Sequence, residues 1–587
     1  MPRGFGVRNG TLPRRDHTRA SPVRESQGTA GAPSAPAVAA ALREMGALLA
    51  LEKGNYFRAR AFTRAADVVL QVPGDLAALV LAGRLTAIAG IGDTIAAAVA
   101  ELVTTGRLAG LERLRSRFPP GTAELRAVLS LRRIRTVHDA LGVASLEALR
   151  EACENGRLRG LPGFGEATER AVCARLAALA ERARGALLPE ADAEAARVLA
   201  HLRAHPAAAR VELAGTLRRR VELTERLEVA IATPAPDAVW RHAASLPGAA
   251  AIDGPVIVRP GLLDVAVHVA SPERFAATWI AATGSPRHVA RLRTRAQERR
   301  LHLDGLVAPS QREADVYARL GLADVAPELR EDAGEIEAAA AGTRADALLR
   351  HDALRGAVHC HTDWSDGRDT IEAMARAADA LGLDYLTITD HSASAGYAGG
   401  LDADRLRRQG DAIAAVQERV RVRLLRGTES DILRDGALDF SDPVLAQLDV
   451  VIASVHDRHG LDAAGMTRRL VRAMRHPVFK IWGHALGRYV RSRPPFAVDL
   501  DAVLDAAAES RVAIEVNGDP HRLDLAPEGI RKARARGLRF VVSADAHSTR
   551  ALANARYGVD MARRGGLGAA DVLNTLPAGA FAAAVRP

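Results

Sequence analysis

Lysine is almost missing from this chain. Of its 80 Lys and Arg residues, only Lys53, Lys480 and Lys532 are lysines. Amine chemistry of the Schiff-base type therefore has few residues to run on, and arginine cannot stand in because it stays protonated. Cysteine is as scarce. Cys153, Cys173 and Cys360 form no CxxC pair and no framework of secreted type. No disulfide partner is expected, and a reducing, cytoplasmic setting is the default. Aromatic residues make up 4% of the chain, which leaves Ala, Leu and Val to build the cores. No apolar run reaches the ~20 residues that span a bilayer, so no membrane partner is expected. The N-terminal arginines are followed by no apolar segment of signal-peptide type.

What is present is length and positive charge. The 587 residues suggest about three or four domains at roughly 150 residues each. The net charge is +10, which favours polyanionic partners, although an arginine-rich coding bias raises the charge in the same way. Residues 1–36 are rich in Arg, Gly, Ser, Pro and Thr without apolar periodicity and read as a disordered basic tail. From 37 to 184 the apolar spacing is helical, as in ALREMGALLALEKG and EATERAVCARLAALAERA. Between 185 and 275 short apolar runs (VELAG, LEVAIAT, LLDVAVHVA) predict a mixed sheet among helices. Residues 276–340 are again helical and more polar.

After residue 353 or so the texture changes. Short apolar runs alternate with helical segments: AVHCH, LDYLTITDH, VRLLRGTE, LDVVIASVH, VFKIWGH, VAIEVN and LRFVVSADAH. Such alternation implies parallel βα units, and a βα barrel collects its working residues at the C-terminal ends of its strands. On a strand, residues i and i+2 share a face, so His359 and His361 project together while Cys360 faces away. The following strand ends add Asp366, His391, Glu429, His456, His484, Asp545 and His547. One strand-end histidine is ordinarily a solvated or hydrogen-bonded residue, but nine His, Asp and Glu positions in one register are not. They exceed the four to six ligands of one ion. Two or three divalent ions sharing a bridging carboxylate would use them all. Imidazole and carboxylate without thiolate suit Zn, Mn or Fe rather than Mg or Ca. Such ions, about 3.5–4 Å apart, can clamp a phosphate and activate water near neutral pH. His351, His459, His476 and His521 fall outside this register and are left unassigned or as surface residues.

The motifs HCHTDWSDG, TDHS, GTESDI, SVH, GHALGR, IEVN and SADAH resemble a PHP (polymerase and histidinol phosphatase) domain. That resemblance implies a distorted (β/α) barrel with a trinuclear metal centre over residues 346–587. It also makes Arg488, in GHALGR, a candidate phosphate contact and, with Asp366, a candidate catalytic residue.

Two front segments, AGIGDTIAAAVAELVTTGRL and LPGFGEATERAV, read as helix-hairpin-helix turns. Backbone N–H groups at Gly90, Gly92 and Thr94, and at Gly163 and Gly165, could hold DNA phosphates at a helix start without reading sequence. A middle copy near LSLRRIRTVHDALGV lacks the glycine pair. The whole front resembles bacterial family X DNA polymerases that carry a PHP domain. By that resemblance, residues 37–120 form an N-terminal helical domain and 121–184 a second, fingers-like one. A nucleotidyltransferase-like α+β palm spans 185–275, and a thumb-like segment with linker spans 276–345.

The departures from the family are informative. Its palm holds two metals on an Asp-x-Asp pair after a Gly-Ser turn. Here Thr216 follows Gly215, and Arg226 and Glu228 stand at the Asp-x-Asp positions, leaving only Asp264 of the three aspartates. An arginine where a metal ligand belongs repels the ion, so the polymerase site is expected to be defunct. The family's lyase lysine is matched by Ala98. The expected function is metal-dependent phosphoester hydrolysis on DNA, as a 3′→5′ exonuclease or in 3′-end or abasic-site processing during base-excision repair. Its partner would be a gapped, nicked or 3′-ended duplex, in a cytoplasmic, nucleoid-associated setting. An active gap-filling polymerase and a small-molecule phosphatase of histidinol-phosphate type are the alternatives.

Overall fold

The computed structural model describes residues 35–586 apart from 51–55, 70–75, 89, 119–124, 126–127, 184 and 343–346. The basic tail, save its last two residues, and Lys53 lie outside the described residues. The chain divides into two compact units, residues 1–177 and 178–587.

The first unit is helical where described. Helices Ala35–Leu49 and Tyr56–Val69 pack together through Leu42, Leu48, Phe62 and Ala66. Both helix-hairpin-helix turns form as read. Gly90 (φ +90°) and Gly163 (φ +81°) adopt a conformation that side chains resist. Gly92 then opens Asp93–Thr105, and Gly165 precedes Glu166–Ala183. The segment around LSLRRIRTVHDALGV forms a helix, Leu131–Leu141, that ends on Gly142. Ser145 caps the next helix, so the middle hairpin survives without its Gly-x-Gly entry. Ala98, at the lyase position, is a buried methyl.

The second unit contains fourteen strands among the described residues. β1 (Ala186–Leu187) pairs with β3 (Leu223–Thr224). A five-stranded mixed sheet follows the order β2 (Arg210–Ala214), β4 (Arg226–Ala232), β7 (Asp264–Ala270), β6 (Val256–Val258), β5 (Ala251–Asp253). Only β4 and β7 are parallel in it, with Arg226 opposite Asp264.

The remaining seven strands form a parallel sheet curled into a barrel. They are β8 (Gly356–Ala357), β9 (Tyr385–Ile388), β10 (Arg423–Asp431), β11 (Val450–Ser454), β12 (Ile481–Trp482), β13 (Ala513–Asn517) and β14 (Phe540–Ser543). Val450 and Ile452 fill the interior while Val451 and Ala453 meet the surrounding helices. Burial on both faces is why these strands are continuously apolar. At the base, Tyr385 stacks on Phe581 of helix Ala578–Val585, ring centres 5.0 Å apart.

β8 is shorter than AVHCH suggests. Its extension through His359–His361 is held instead by the segment just after the last strand: His361 N donates to Ala546 O at 2.9 Å, and Ala546 N to His359 O at 3.0 Å. Lower in the same seam, the buried Asn574 side chain replaces the missing strand ladder. Its Oδ1 accepts from Val542 N, and its Nδ2 donates to Gly356 O and Val542 O, all within 2.9 Å.

Ion pairs fasten the palm to the barrel. Glu222 lies 2.6 Å from Arg564 and 3.1 Å from Arg488, and Arg220 reaches both Asp192 and Asp560. Burial would raise the Glu222 pKa, but Arg564 and Arg488 hold it down at about 2. The contact therefore persists at neutral pH and weakens only as pH falls below the ordinary carboxylate range.

Asn574→Ala would strand three buried backbone groups along the seam. We expect a loss of about 2–4 kcal/mol, read as a lower urea midpoint for the barrel transition.

Candidate metal centre

All nine residues of the strand-end register meet at the C-terminal mouth of the barrel. Their ligand atoms fall into three overlapping sets: His361, Asp366, His391 and His547; His359, His361 and Asp545; and His391, Glu429 and His456. Within each set the atoms lie within 4.8 Å of one another. His484 Nε2, 2.9 Å from Glu429 Oε1, extends the third.

Glu429 stands at the centre. Its Oε2 lies 3.0 Å from His391, 3.3 Å from His359 and 3.6 Å from His361. Its Oε1 faces His456 at 3.3 Å as well as His484. Local backbone geometry makes this convergence possible. Asp366 turns back over His361 because residue 367 is glycine; a Cβ there would stand 2.4 Å from the His361 carbonyl. His484 (φ +23°) and Asp545 (φ +49°) adopt left-handed backbone, a strain of the kind stored at functional sites.

The donor set fits divalent ions. Buried in this mouth, His359 Nε2, both nitrogens of His361 and His484, His391 Nδ1, His456 Nε2 and both Glu429 oxygens have no hydrogen-bond partner. Unpaired buried polar atoms are rare and costly, and here they cluster around three overlapping ligand sets. Electrostatics keeps the carboxylates ionised. Burial works against charge at Glu429, yet His456, His359, His391 and His484 hold its pKa well below the usual range. Burial dominates at His361, which it lowers to about 3 with help from His547 and His391, leaving a neutral ring with a lone pair to offer. Burial also drives the Cys360 thiol far upward, in the packing layer facing away, which removes it as a nucleophile.

A layer of acceptors behind the ligands orients them. Glu515 accepts from His359 Nδ1 and Ser543 Oγ, both at 2.6 Å, and from the His484 backbone N–H. Asp431 accepts from His456 Nδ1. Asp390 accepts from the Thr362 N–H at 2.8 Å and from Gln409 at 2.6 Å, fixing the loop that carries Asp366. Sequence reading missed these three as site residues. Two left a signal: Asp431 is two residues from Glu429 on β10, on the same face, and Glu515 points inward on β13.

Arg488 is a correction. Its guanidinium is committed to Glu222 and to the carbonyls of Arg522 and Leu523. The arginine at the cluster is Arg522, whose Nε lies 3.1 Å from Asp545 Oδ2. The unassigned histidines are paired elsewhere: His351 with Asp560, His459 with Asp457, His476 with Asp442 and His521 with Asp519.

The palm gathers a different constellation. Gly215 packs against Glu228, and Thr216 follows it on the short helix Gly215–Arg218. Glu228 is bound by Arg226 at 3.1 Å and by His268 at 2.8 Å. Asp264 accepts from the Arg259 N–H at 2.8 Å. Among the described residues the palm holds no set of convergent metal ligands. In the front unit, Thr94 is exposed, and a Cβ on Gly92, Gly163 or Gly165 would meet nothing within 4 Å, so both helix starts stand open.

Comparison with known proteins agrees with this layout. Residues 33–108 match a helix-hairpin-helix domain, 278–331 the DNA polymerase beta thumb and 357–518 the PHP domain. The chain is 30% identical over 554 residues to the DNA polymerase/3′-5′ exonuclease PolX of Bacillus subtilis, covering 91% of this chain and 96% of that one. It is 31% identical over 201 residues to a probable phosphatase of Caldanaerobacter subterraneus, covering 32% of this chain and 74% of that one. A probable phosphatase of a Thermoanaerobacter strain is 28% identical over 237 residues, 37% of this chain and 89% of its own.

Glu515→Gln keeps the shape but weakens the acceptor behind His359. We expect metal affinity to fall about 10- to 100-fold, measured by competition with a chromogenic chelator.

Proposed function

The chain belongs to the bacterial family X DNA polymerases that carry a PHP domain, and from that membership we propose that its working chemistry is hydrolysis of DNA phosphodiesters at 3′ ends. The observation that supports this reading is the contrast between two sites. The barrel mouth gathers buried polar atoms without hydrogen-bond partners, whereas the palm carboxylate Glu228 is already paired with Arg226 and hydrogen-bonded to His268. On this reading the polymerase site is inactive.

Two or three ions of Zn, Mn or Fe type would be held by His359, His361, Asp366, His391, Glu429, His456, His484, Asp545 and His547, with Glu429 shared. Bound there, such ions would neutralise a phosphoryl group and supply an activated water. The chain's own groups do the rest. Arg522, buried against Asp545 and fixed by Tyr489 beneath it, is placed to bind a phosphate oxygen as a fork. Asp366 and His547 are the more exposed members of the cluster and are placed to exchange protons with solvent. Glu515, Asp431 and Asp390 hold ligand rings and loops in position. The open helix starts at Gly90–Thr94 and Gly163–Gly165 would hold duplex phosphates, which suits a gapped, nicked or 3′-ended substrate. A small-molecule phosphatase would use the same barrel, as its phosphatase-named relatives suggest, but would leave those DNA-binding turns without a ligand.

A labelled primer annealed over a short gap tests the reading in manganese, with and without the four nucleotides. We expect the wild-type chain to shorten the primer and never extend it, and His359→Ala to abolish shortening. Extension that survives His359→Ala would show a working palm and sink the proposal. With Ala98 at the lyase position, borohydride treatment of a mixture with abasic-site DNA is expected to trap no covalent adduct on a denaturing gel.

A further inference from the structure

The candidate metal cluster reaches solvent at two of its members. His359 and His361 are wholly buried and Glu429 is 1% exposed, whereas the side chains of Asp366 and His547 are 34% and 37% exposed. Beside that opening stands Tyr397, on the turn Gly396–Ala398, its ring centre 6.0 Å from those of both His391 and His456. It is 42% exposed, and of the large apolar side chains exposed among the described residues it is the one seated against cluster histidines. Arg522 lies at the same cluster, 3.1 Å from Asp545. Tyr489 joins it to a second arginine. The Tyr489 ring lies 4.7 Å from the Arg522 guanidinium and 4.4 Å from that of Arg493.

We propose that Tyr397 is a stacking platform for the terminal base of a single-stranded polynucleotide, whose scissile phosphate is held at Arg522 and whose next phosphate reaches Arg493. The inference rests on the phosphoesterase reading above and names its substrate more narrowly. A phosphate monoester would use one arginine and no aromatic face. A polynucleotide end uses a series of cations and an exposed ring, the pairing found in grooves that bind single strands. The ligand atoms are recessed below the rim, so a base must leave its duplex before its phosphate reaches them. An unpaired base offers Tyr397 a free face.

The test is a four-way comparison with the full-length chain in manganese. Wild type and Tyr397→Ala each digest a single strand ending in a normal nucleotide and one whose terminal nucleotide lacks its base. Wild type is expected to favour the base-bearing end by about ten-fold in kcat/KM. Tyr397→Ala should lose that preference and Tyr397→Phe should keep it. A Tyr397→Ala variant that still prefers the base-bearing end overturns the inference while leaving the phosphoesterase reading intact. A wild type that cuts neither strand overturns the phosphoesterase reading instead. Stacking is then read without metal, from a strand ending in 2-aminopurine. Quenching on binding to wild type and Tyr397→Phe but not Tyr397→Ala supports the platform, and equal quenching by all three refutes it.

Discussion

Charge balance at Glu429 is the constraint on which the barrel mouth depends. Five imidazoles approach its two oxygens, and no hydrogen bond satisfies either oxygen. A neutral side chain there would leave the buried rings facing one another, with burial and mutual repulsion both opposing their charge. The carboxylate lets them converge, and the overlap of the three ligand sets follows from its central place. Everything behind serves that convergence: Glu515 under His359, Asp431 under His456, and the glycine that lets Asp366 fold back over His361.

The palm meets the same problem in the opposite way. Its strand pairing sets Arg226 beside Asp264, and Glu228 is met by protein side chains. Glu228 contacts Arg226 and His268, and burial of the carboxylate is offset by both. Its sheet is nonetheless well packed, with Val229, Ile231 and Val265 fully buried. The core and the palm's polar constellation draw on alternate residues of the same strands, so the sheet can pack whatever stands at Arg226 and Glu228.

Much of this was legible in the sequence because strand ends concentrate chemistry. The period-two alternation around Cys360, and the recurrence of His, Glu or Asp after each apolar run, placed nine side chains in one mouth before any coordinates. The hairpin glycines were legible because their backbone angles exclude other residues. Arg488 misled because motif position says nothing about which way a long side chain turns, and Glu222 sits 266 positions away in sequence. Arg522 was invisible for a related reason: it lies in an irregular loop with no periodicity to mark its face. Asn574 belongs to the same class, since its role exists only where the first and last barrel strands fail to pair.

That seam has a consequence in time. The first metal-ligand pair, His359 and His361, is held in place by the backbone around Ala546, and the barrel base is closed by Asn574 and Phe581. During synthesis some two hundred residues must therefore follow His361 before its ring is anchored. A chain released early by a premature stop carries the helix-hairpin-helix turns but lacks the backbone that anchors His359 and His361.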